Sequence, residues 1–234
     1  MANTSGRAPA SVLVTGASRG IGLAIATRFA AAGARVTICA RDVAAVSREH
    51  PGLDCIACDM ADKAQVQALA ARVLAGGGAP EVLVNNAGAY LPGSIHEEAD
   101  GTFEAMIAVH VAGAYHLTRA LLPAMIERGS GTILNICSTA SITPYVNGGS
   151  YGIAKHALYG FNKTLREELK PHGIRVVALL PGATLTDSWA GSDLPDERFM
   201  PVEDIAELAW TAWALSGRSV VEELRVRPML GDIP

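Results

Sequence analysis

The chain has 234 residues, of which 50% are hydrophobic and 18% are charged, and this composition argues against intrinsic disorder. Its 19 basic and 23 acidic side chains give a net charge of -4, which leaves no basic excess for binding nucleic acid or an anionic membrane surface. Aromatic residues make up only 5% of the chain, which disfavours a stacking platform for single-stranded nucleic acid.

Short apolar runs rich in β-branched residues alternate with longer segments that repeat apolar residues at i, i+3 and i+4. The runs predict strands at 11–15, 35–39, 53–57, 82–85, 132–137, 175–180 and 223–227. The longer segments predict helices at 21–32, 63–74, 103–128, 151–172 and 202–216. Parallel strands need such crossover helices, so we expect an α/β fold with a mostly parallel, doubly wound sheet and helices on both faces. The strand candidates extend over residues 1–234, which are expected to form a single domain.

The first predicted strand leads into the glycine-rich stretch T-G-A-S-R-G-I-G at 15–22, and a predicted helix follows. A dinucleotide pyrophosphate needs close approach to the backbone and free N–H groups at a helix N-terminus. Side chains at Gly16, Gly20 or Gly22 would obstruct the turn, the phosphates or the helix–strand packing. The stretch therefore indicates a dinucleotide site, although a purely structural strand-to-helix turn could show the same glycines.

The cysteines give no sign of a metal site or a disulfide framework. Cys55 and Cys58 are three residues apart in a predicted strand, which puts their thiols on opposite faces. Without a second pair of ligands nearby, both are interpreted as small core residues, and no metal is expected. Residues 1–10 lack a signal-peptide pattern and no window holds ~18 consecutive apolar residues, so a cytoplasmic protein without a membrane span is expected.

Tyr151 and Lys155 form a Y-x-x-x-K pair at the start of a predicted helix. Their i, i+4 spacing places both side chains on one helical face. A phenol has a pKa of ~10, and a neighbouring ammonium group is expected to lower that pKa. The pair could then pass a proton to or from a carbonyl oxygen, although two solvated helix residues would show the same spacing.

Five motifs in this order resemble the short-chain dehydrogenase/reductase family, over roughly residues 10 to 187. They are the turn at 15–22, Cys58-Asp59, Asn85-Asn86-Ala87-Gly88, Ser138 with Tyr151 and Lys155, and Pro181-Gly182 followed by Thr186. The resemblance implies a Rossmann-like fold and a nicotinamide-dependent oxidoreductase. It also implies that the Ser138 hydroxyl holds the substrate oxygen near Tyr151, and other hydroxyls compete at Ser130, Thr139 and Ser141.

By this resemblance, cofactor contacts are expected along the carboxyl ends of the strands. Asp59 would meet the adenine, and Thr186 would hold the nicotinamide carboxamide, with a helix N-cap as its alternative. The full expected set is Gly16, Ser18, Arg19, Gly20, Ile21, Gly22, Arg41, Asp59, Met60, Asn86, Ala87, Gly88, Tyr151, Lys155, Pro181, Gly182, Thr184 and Thr186.

The end of the second predicted strand favours NADP(H) over NAD(H). A carboxylate there would bind the ribose hydroxyls and repel a 2′-phosphate, but this chain has Ala40 followed by Arg41. Arg19 adds a second cation inside the glycine turn, and two cations suit a 2′-phosphate. Asp42 weakens this prediction slightly, and the two arginines could also be ordinary solvated cations.

His110 departs from the family pattern, which has a Val-Asn pair where this chain has Val109-His110. The asparagine of the family positions a water that leads to the lysine. We count His110 among the candidate catalytic residues, because either its backbone carbonyl could hold that water or its imidazole, titrating near pH 6–7, could relay protons. A packed helix histidine without such a function remains an alternative.

The sequence thus predicts an NADPH-dependent reductase of a small carbonyl substrate, or a secondary-alcohol dehydrogenase in the reverse direction. A non-catalytic NADP(H)-binding protein and an NAD-dependent alcohol dehydrogenase are the alternatives. A lid at about 187–201 is expected, and candidate substrate contacts are Tyr90, His96, Tyr145 and Trp189. The broad apolar faces of 103–128 and 151–170 resemble the helical interface of the family, so a homodimer or homotetramer is expected.

Overall fold

The computed structural model describes residues 11–233, which form one seven-stranded, fully parallel sheet in the order β3-β2-β1-β4-β5-β6-β7. Residues 1–10, where a signal peptide was not expected, lie outside the described residues. The strands are β1 (Ser11–Thr15), β2 (Arg35–Ala40), β3 (Asp54–Ala57), β4 (Val82–Asn85), β5 (Gly131–Ile136), β6 (Ile174–Pro181) and β7 (Glu223–Val226).

Seven α-helices connect or flank these strands in the described chain. They are α1 (Gly20–Ala31), α2 (Ala44–Glu49), α3 (Lys63–Ala75), α4 (Thr102–Ile107), α5 (Gly113–Arg128), α6 (Gly149–Leu169) and α7 (Val202–Ala214). The predicted α/β fold is confirmed, and each of the seven predicted strands lies within about one residue of an observed one.

The two faces of the sheet are covered by different helices. Phe29 of α1 and Trp213 of α7 pack with Val12 and Val14 on one face. Leu117 of α5 and Leu165 of α6 pack with Leu13 on the other face. Successive residues of β1 therefore point to opposite cores, which explains why a buried parallel strand is apolar without alternation. Cys55 and Cys58 also lie in these opposite cores, as their spacing predicts.

The structure differs from the sequence prediction in two helical segments. The short helix α2 was not predicted, since six residues carry too little periodicity. The predicted helix 103–128 is interrupted by a π-helical turn at Ala108–Ala112, and not at Pro123, which lies inside α5. Pro123 is exposed, so water can reach the carbonyl that a proline leaves unpaired in a helix.

Within the described residues, Thr102–Arg128 is long and apolar enough to cross a membrane by length and composition alone. Its Leu117, Leu121 and Met125 are fully buried in the core between α3, α5 and the sheet. A core helix satisfies the same test of length and hydropathy, and these buried side chains account for its apolar character.

Candidate active site

A cavity of about 1040 Å³ opens at the carboxyl ends of the strands, where parallel α/β sheets bind their ligands. The glycine-rich turn forms one side of it, and the beginning of α6 forms the other. The predicted site residues that line it are Gly16, Arg19, Gly20, Ile21, Gly22, Arg41, Asn86, Gly88, His110, Ser138, Tyr151, Lys155, Pro181, Gly182, Thr184 and Thr186.

The glycine-rich turn is packed directly against the chain that follows β4. Gly16 has a φ of 63°, and a Cβ there would lie 2.6 Å from the Cα of Ala87. A Cβ at Gly22 would lie 2.6 Å from the carbonyl oxygen of Gly16. Helix α1 then begins at Gly20 with no acidic residue in its first turn and no side-chain cap. This cradle, which side chains would fill, fits a pyrophosphate at the helix N-terminus.

Thr15 and Asn86 hold the two sides of this cradle together. The Thr15 hydroxyl accepts hydrogen bonds from the backbone N–H groups of Asn86 and Ala87, both at 3.0 Å. The Asn86 amide donates in return to the carbonyl oxygens of Thr15 and Gly16, both at 2.9 Å. The amide of Asn86 is therefore used to hold the turn, and its position in the cavity is fixed.

The charges at the rim of the cavity are mainly basic on the side of β2. Arg41 is exposed and lines the cavity directly after Ala40. The Arg19 guanidinium lies 3.0 Å from the Asp187 carboxylate, with both side chains largely exposed. Asp42 does not line the cavity, because its carboxylate accepts a hydrogen bond from the N–H of Ala44 at the start of α2.

Four expected cofactor contacts do not line the cavity: Ser18, Asp59, Met60 and Ala87. The Asp59 carboxylate accepts a hydrogen bond from the N–H of Ala61 at 2.9 Å. Met60 is only 5% exposed, and its sulfur lies 3.8 Å from the Cys39 thiol in the core. The Met60 side chain is therefore used in packing, and its cofactor contact stays a prediction.

Ser138, Tyr151 and Lys155 meet at the wall of the cavity where β5 ends and α6 begins. The Lys155 ammonium donates to the carbonyl oxygen of Ile136 at 2.9 Å and lies 5.7 Å from the centre of the Tyr151 ring. Ser138 hydrogen-bonds to the Tyr151 phenol, which lowers the phenol pKa. Burial outweighs this and raises the pKa of Tyr151 to about 12, while burial lowers the pKa of Lys155 to about 8.

The net shift of the phenol pKa is therefore upward, opposite to the predicted direction, because burial outweighs the Ser138 hydrogen bond. Desolvation of the phenolate is the stronger effect, and Lys155 is directed to the backbone of β5 instead. The result is a phenol that stays protonated at neutral pH next to a buried ammonium group. Such a phenol can act as a proton donor.

A chain of buried amides fixes α6 to the centre of the sheet. Asn85 donates to Thr118 at 3.1 Å and to Asn135 at 2.9 Å, and Asn135 donates to Asn162 of α6 at 2.8 Å. All four side chains are at most 3% exposed, so water does not compete for these bonds. This network was not predicted from the sequence, since single asparagines in strands give no periodic signal.

His110 lies in the π-helical turn and is only 2% exposed. Its Nε2 lies 2.8 Å from the carbonyl oxygen of Ala89, and its ring centre is 5.6 Å from that of Tyr151. Burial first, and then the charge of Lys155, lower the pKa of His110 to about 3. The expectation that this imidazole titrates near pH 6–7 is therefore wrong, because charging it would require a buried cation.

The imidazole is also packed tightly against Gly88. A Cβ at Gly88 would lie 2.3 Å from Cε1 of His110, so no other residue fits there without displacing the ring. The Nδ1 atom has no hydrogen-bond partner among residues 11–233. The ring therefore fixes the wall at residues 88 and 89 as a neutral group.

The remaining cavity wall is formed by aromatic residues and by the C-terminal segment. Tyr90, Tyr145 and Trp189 line the cavity as expected, whereas His96 is exposed beside Glu97 and does not. Of the predicted lid, the cavity lining includes only 187–189. Residues 232–233 also line the cavity, and no sequence pattern predicted them. They are held there because Arg198 donates hydrogen bonds to the carbonyl oxygens of Gly231 and Asp232.

Comparisons with known proteins agree with this geometry. Residues 10–195 match the family model described as short chain dehydrogenase. A Streptomyces violaceoruber protein assigned as a ketoacyl reductase of the granaticin polyketide synthase is 40% identical over 179 residues. That alignment covers 73% of this chain and 66% of the relative, just under two thirds of its length.

Two solved structures cover nearly all of both chains. A metagenomic short-chain oxidoreductase in complex with NADP has a TM-score of 0.83 and 36% identity, covering 95% of this chain and 98% of the other. L-sorbose reductase from Gluconobacter frateurii, complexed with NADPH and L-sorbose, has a TM-score of 0.86 and 30% identity, covering 95% and 97%.

Proposed function

The chain belongs to the short-chain dehydrogenase/reductase family, and on that premise we propose that it is an NADPH-dependent carbonyl reductase. The observation that carries this proposal is the meeting of Ser138, Tyr151 and Lys155 at one wall of the cavity, with the Lys155 ammonium 5.7 Å from the centre of the Tyr151 ring. Reduction of a carbonyl needs a proton donor, whereas oxidation of an alcohol needs a base. Burial raises the pKa of Tyr151 to about 12, so the phenol holds its proton at neutral pH and can supply it to a carbonyl oxygen.

Three features support NADP(H) as the cofactor. The cradle between the turn at 15–22 and residues 86–88 fits a pyrophosphate. Arg41 lines the rim with no carboxylate at the end of β2, which suits a 2′-phosphate. Two similar solved proteins are complexes with NADP and NADPH.

When bound, reduced nicotinamide would supply a hydride to the carbonyl carbon. Ser138 would hold the carbonyl oxygen by a hydrogen bond, and Tyr151 would donate its proton to that oxygen. The tyrosinate left behind would be stabilised by the Lys155 ammonium, which carries its charge below a pH of about 8. We therefore expect the reduction rate to fall as the pH rises through about 8.

His110 contributes to this centre as a neutral group that fixes position. Its ring lies between Ala89, whose carbonyl oxygen is 2.8 Å from Nε2, and Tyr151, whose ring centre is 5.6 Å away. A group with a pKa of about 3 remains uncharged throughout the physiological range, so its part is to hold the wall beside the phenol.

The walls around Tyr151 suit a neutral ketone. Tyr90, Tyr145 and Trp189 are apolar at their rings and polar at one edge, which is typical of sites that orient small molecules.

A homodimer or homotetramer is part of the proposal, since α4, α5 and α6 expose the large apolar residues Phe103, Tyr115 and Ile153.

The test is a panel of ketones with NADPH, assayed by the absorbance of NADPH for the wild-type chain and for Tyr151→Phe. We expect turnover for the wild type and a loss of about 10²–10⁴-fold in kcat for the variant, because the proton donor is removed. The Kd for NADPH should stay nearly unchanged, since this substitution leaves the cradle intact.

Tyr115→Phe is the matched control, because Tyr115 is an exposed phenol on α5 outside the cavity. It should keep wild-type kcat. Tight NADPH binding without turnover on any ketone would contradict the proposal and favour a non-catalytic binding protein. Turnover only of secondary alcohols with NAD would favour the alcohol dehydrogenase.

A further inference from the structure

Glu98 lies outside every motif of the site, yet its carboxylate is hydrogen-bonded to Ser150 at the beginning of α6. This pair of hydrogen bonds is called the Glu98 clamp below. One oxygen accepts a hydrogen bond from the backbone N–H of Ser150 at 2.8 Å, and the other accepts from the Ser150 hydroxyl. Ser150 directly precedes Tyr151. We infer that Glu98 is a positioning residue, which acts through Ser150 to hold the Tyr151 phenol at the cavity.

Within residues 11–233, the N-cap position of helix α6 makes no side-chain cap of its own. Its N-cap position is Gly148, which has no side chain to offer the free N–H groups of the first turn. Glu98 supplies a carboxylate to that turn from 52 residues earlier in the chain. A negative charge is also favoured at a helix N-terminus by the helix dipole.

The two glycines around Glu98 leave room for its side chain. Gly149 has a φ of 34°, and a Cβ there would lie 2.1 Å from one carboxylate oxygen of Glu98. A Cβ at Gly93 would lie 3.0 Å from Cγ of the same side chain. The clamp therefore depends on small residues on both sides and is a specific, closely fitted contact.

The segment that carries Glu98 also bounds the substrate side of the cavity. The N–H of Gly93 donates to the carbonyl oxygen of Asn147 at 3.0 Å, and the Ser94 hydroxyl donates to the Asn147 side chain at 2.7 Å. Upstream, the Tyr90 ring packs edge-on against the Tyr151 ring, with centres 5.0 Å apart. Residues 90–98 and 147–151 thus form one block with the phenol at its edge.

This inference rests on the proposed function, because it concerns the position of the proton donor. Proton transfer needs donor and acceptor within hydrogen-bond distance, and a misplacement of about 1 Å can reduce a rate by about 10²-fold. Loss of the clamp should therefore reduce kcat much more than it affects cofactor binding.

The test compares Glu98→Ala, Glu98→Gln and Glu97→Ala in the full-length chain. We expect Glu98→Ala to reduce kcat about 10-fold or more with little change in the Kd for NADPH. Glu98→Gln keeps an oxygen for the Ser150 N–H and should remain within about threefold of wild type. Glu97→Ala is the matched control, since Glu97 is exposed and its carboxylate lies 3.8 Å from the His96 imidazole, so it should not change kcat.

A second readout needs no turnover and separates this inference from the proposed function. The ¹³Cζ resonance of Tyr151, assigned by its loss in Tyr151→Phe, should move in Glu98→Ala and stay in place in Glu98→Gln and Glu97→Ala. An unmoved resonance or an unchanged kcat in folded Glu98→Ala would overturn the inference. A wild-type chain that is inactive on all ketones would overturn the proposed function alone. The position of the Tyr151 resonance in Glu98→Ala would still show whether Glu98 positions the phenol.

If Glu98→Ala does not fold, Ser150→Ala takes its place, because it removes only the hydroxyl donor and leaves the N–H bond. It should shift the Tyr151 resonance and reduce kcat by about threefold. A parallel loss of kcat in Glu98→Ala and Glu98→Gln, together with the same loss of thermal stability, would show a merely structural contact and contradict positioning.

Discussion

The cavity has two walls that are held together by different forces. The inner wall, residues 15–22, 86–89, His110 and Tyr151, is fixed by partly buried hydrogen bonds and by glycines with no room for a side chain. The outer wall, residues 187–189 and 232–233, is held by exposed ion pairs, Arg19 with Asp187 and Arg227 with Asp232, and by hydrogen bonds from Arg198 to the carbonyl oxygens of Gly231 and Asp232.

We expect this difference to place proton transfer at the inner wall and the choice of cofactor at the rim. Buried polar contacts are costly to break because the partner left behind loses both its bond and its water, whereas exposed ion pairs contribute about 0–1 kcal/mol. The proposed proton donor, Tyr151, lies in the inner wall. Arg41 and Arg19, which are proposed to favour NADP(H), lie at the rim of the cavity.

The first prediction tests the rigidity of the inner wall. Gly88→Ala puts a Cβ 2.3 Å from Cε1 of His110, whose ring is 2% exposed and cannot move toward solvent. We expect a loss of about 1–3 kcal/mol in the free energy of unfolding, measured by urea denaturation. A loss of activity should accompany it, because the ring also contacts Tyr151.

Gly152→Ala is the matched control for this substitution. Gly152 lies in α6, and a Cβ there meets nothing within 4 Å. Alanine should stabilise the helix by up to about 1 kcal/mol. Equal stability of the two variants would show that the inner wall is as tolerant as a helix surface.

The second prediction concerns the neutral state of His110. Its pKa falls from an ordinary 6.5 to about 3 on folding, so between these values the unfolded chain binds a proton that the native chain does not. Stability should therefore decrease as the pH falls from about 6.5, by up to about 1.4 kcal/mol per pH unit. His110→Asn removes this contribution, and its unfolding free energy should fall less steeply with acid.

His172→Asn serves as the comparison, since His172 is exposed after α6. Its stability should follow the wild-type curve. If His110→Asn also follows the wild-type curve below pH 6.5, the buried imidazole is charged in the native state, and the account of the inner wall fails.

The third prediction moves to the rim. Arg41 is exposed and lines the cavity beside the end of β2. Arg41→Asp should therefore raise the Kd for NADPH and bring it closer to the Kd for NADH. We expect the ratio of the two Kd values to shift about tenfold, measured by fluorescence titration. Arg48→Asp makes the same charge change on α2 and should leave the ratio alone, while an unchanged ratio in Arg41→Asp would remove Arg41 from cofactor selection.

The inner wall was also the part that the sequence could predict. The glycine-rich turn at 15–22 and the spacing of Tyr151 and Lys155 are local patterns, whereas Ser138 was singled out only by the family resemblance. The outer wall depends on contacts between distant segments, such as Arg198 with Gly231, which leave no periodic trace. The predicted pKa of Tyr151 and of His110 differed from that in the structure for a related reason. Burial shifts both pKa values, and burial is set by the packing around a residue, which its sequence neighbours do not reveal.

The smallest effect is expected in the outer wall. Asp187 holds the Arg19 guanidinium at 3.0 Å with both side chains more than two thirds exposed, so breaking this pair should not change stability measurably. Asp187→Asn leaves Arg19 without a competing carboxylate, and NADPH should bind about two- to threefold more tightly at low salt. NADH lacks the 2′-phosphate and should not gain, and Asp193→Asn, an exposed acid of the same segment, should affect neither cofactor. If Asp187→Asn instead destabilised the fold as much as Gly88→Ala, the outer wall would be as rigid as the inner one, and selection could not be assigned to it.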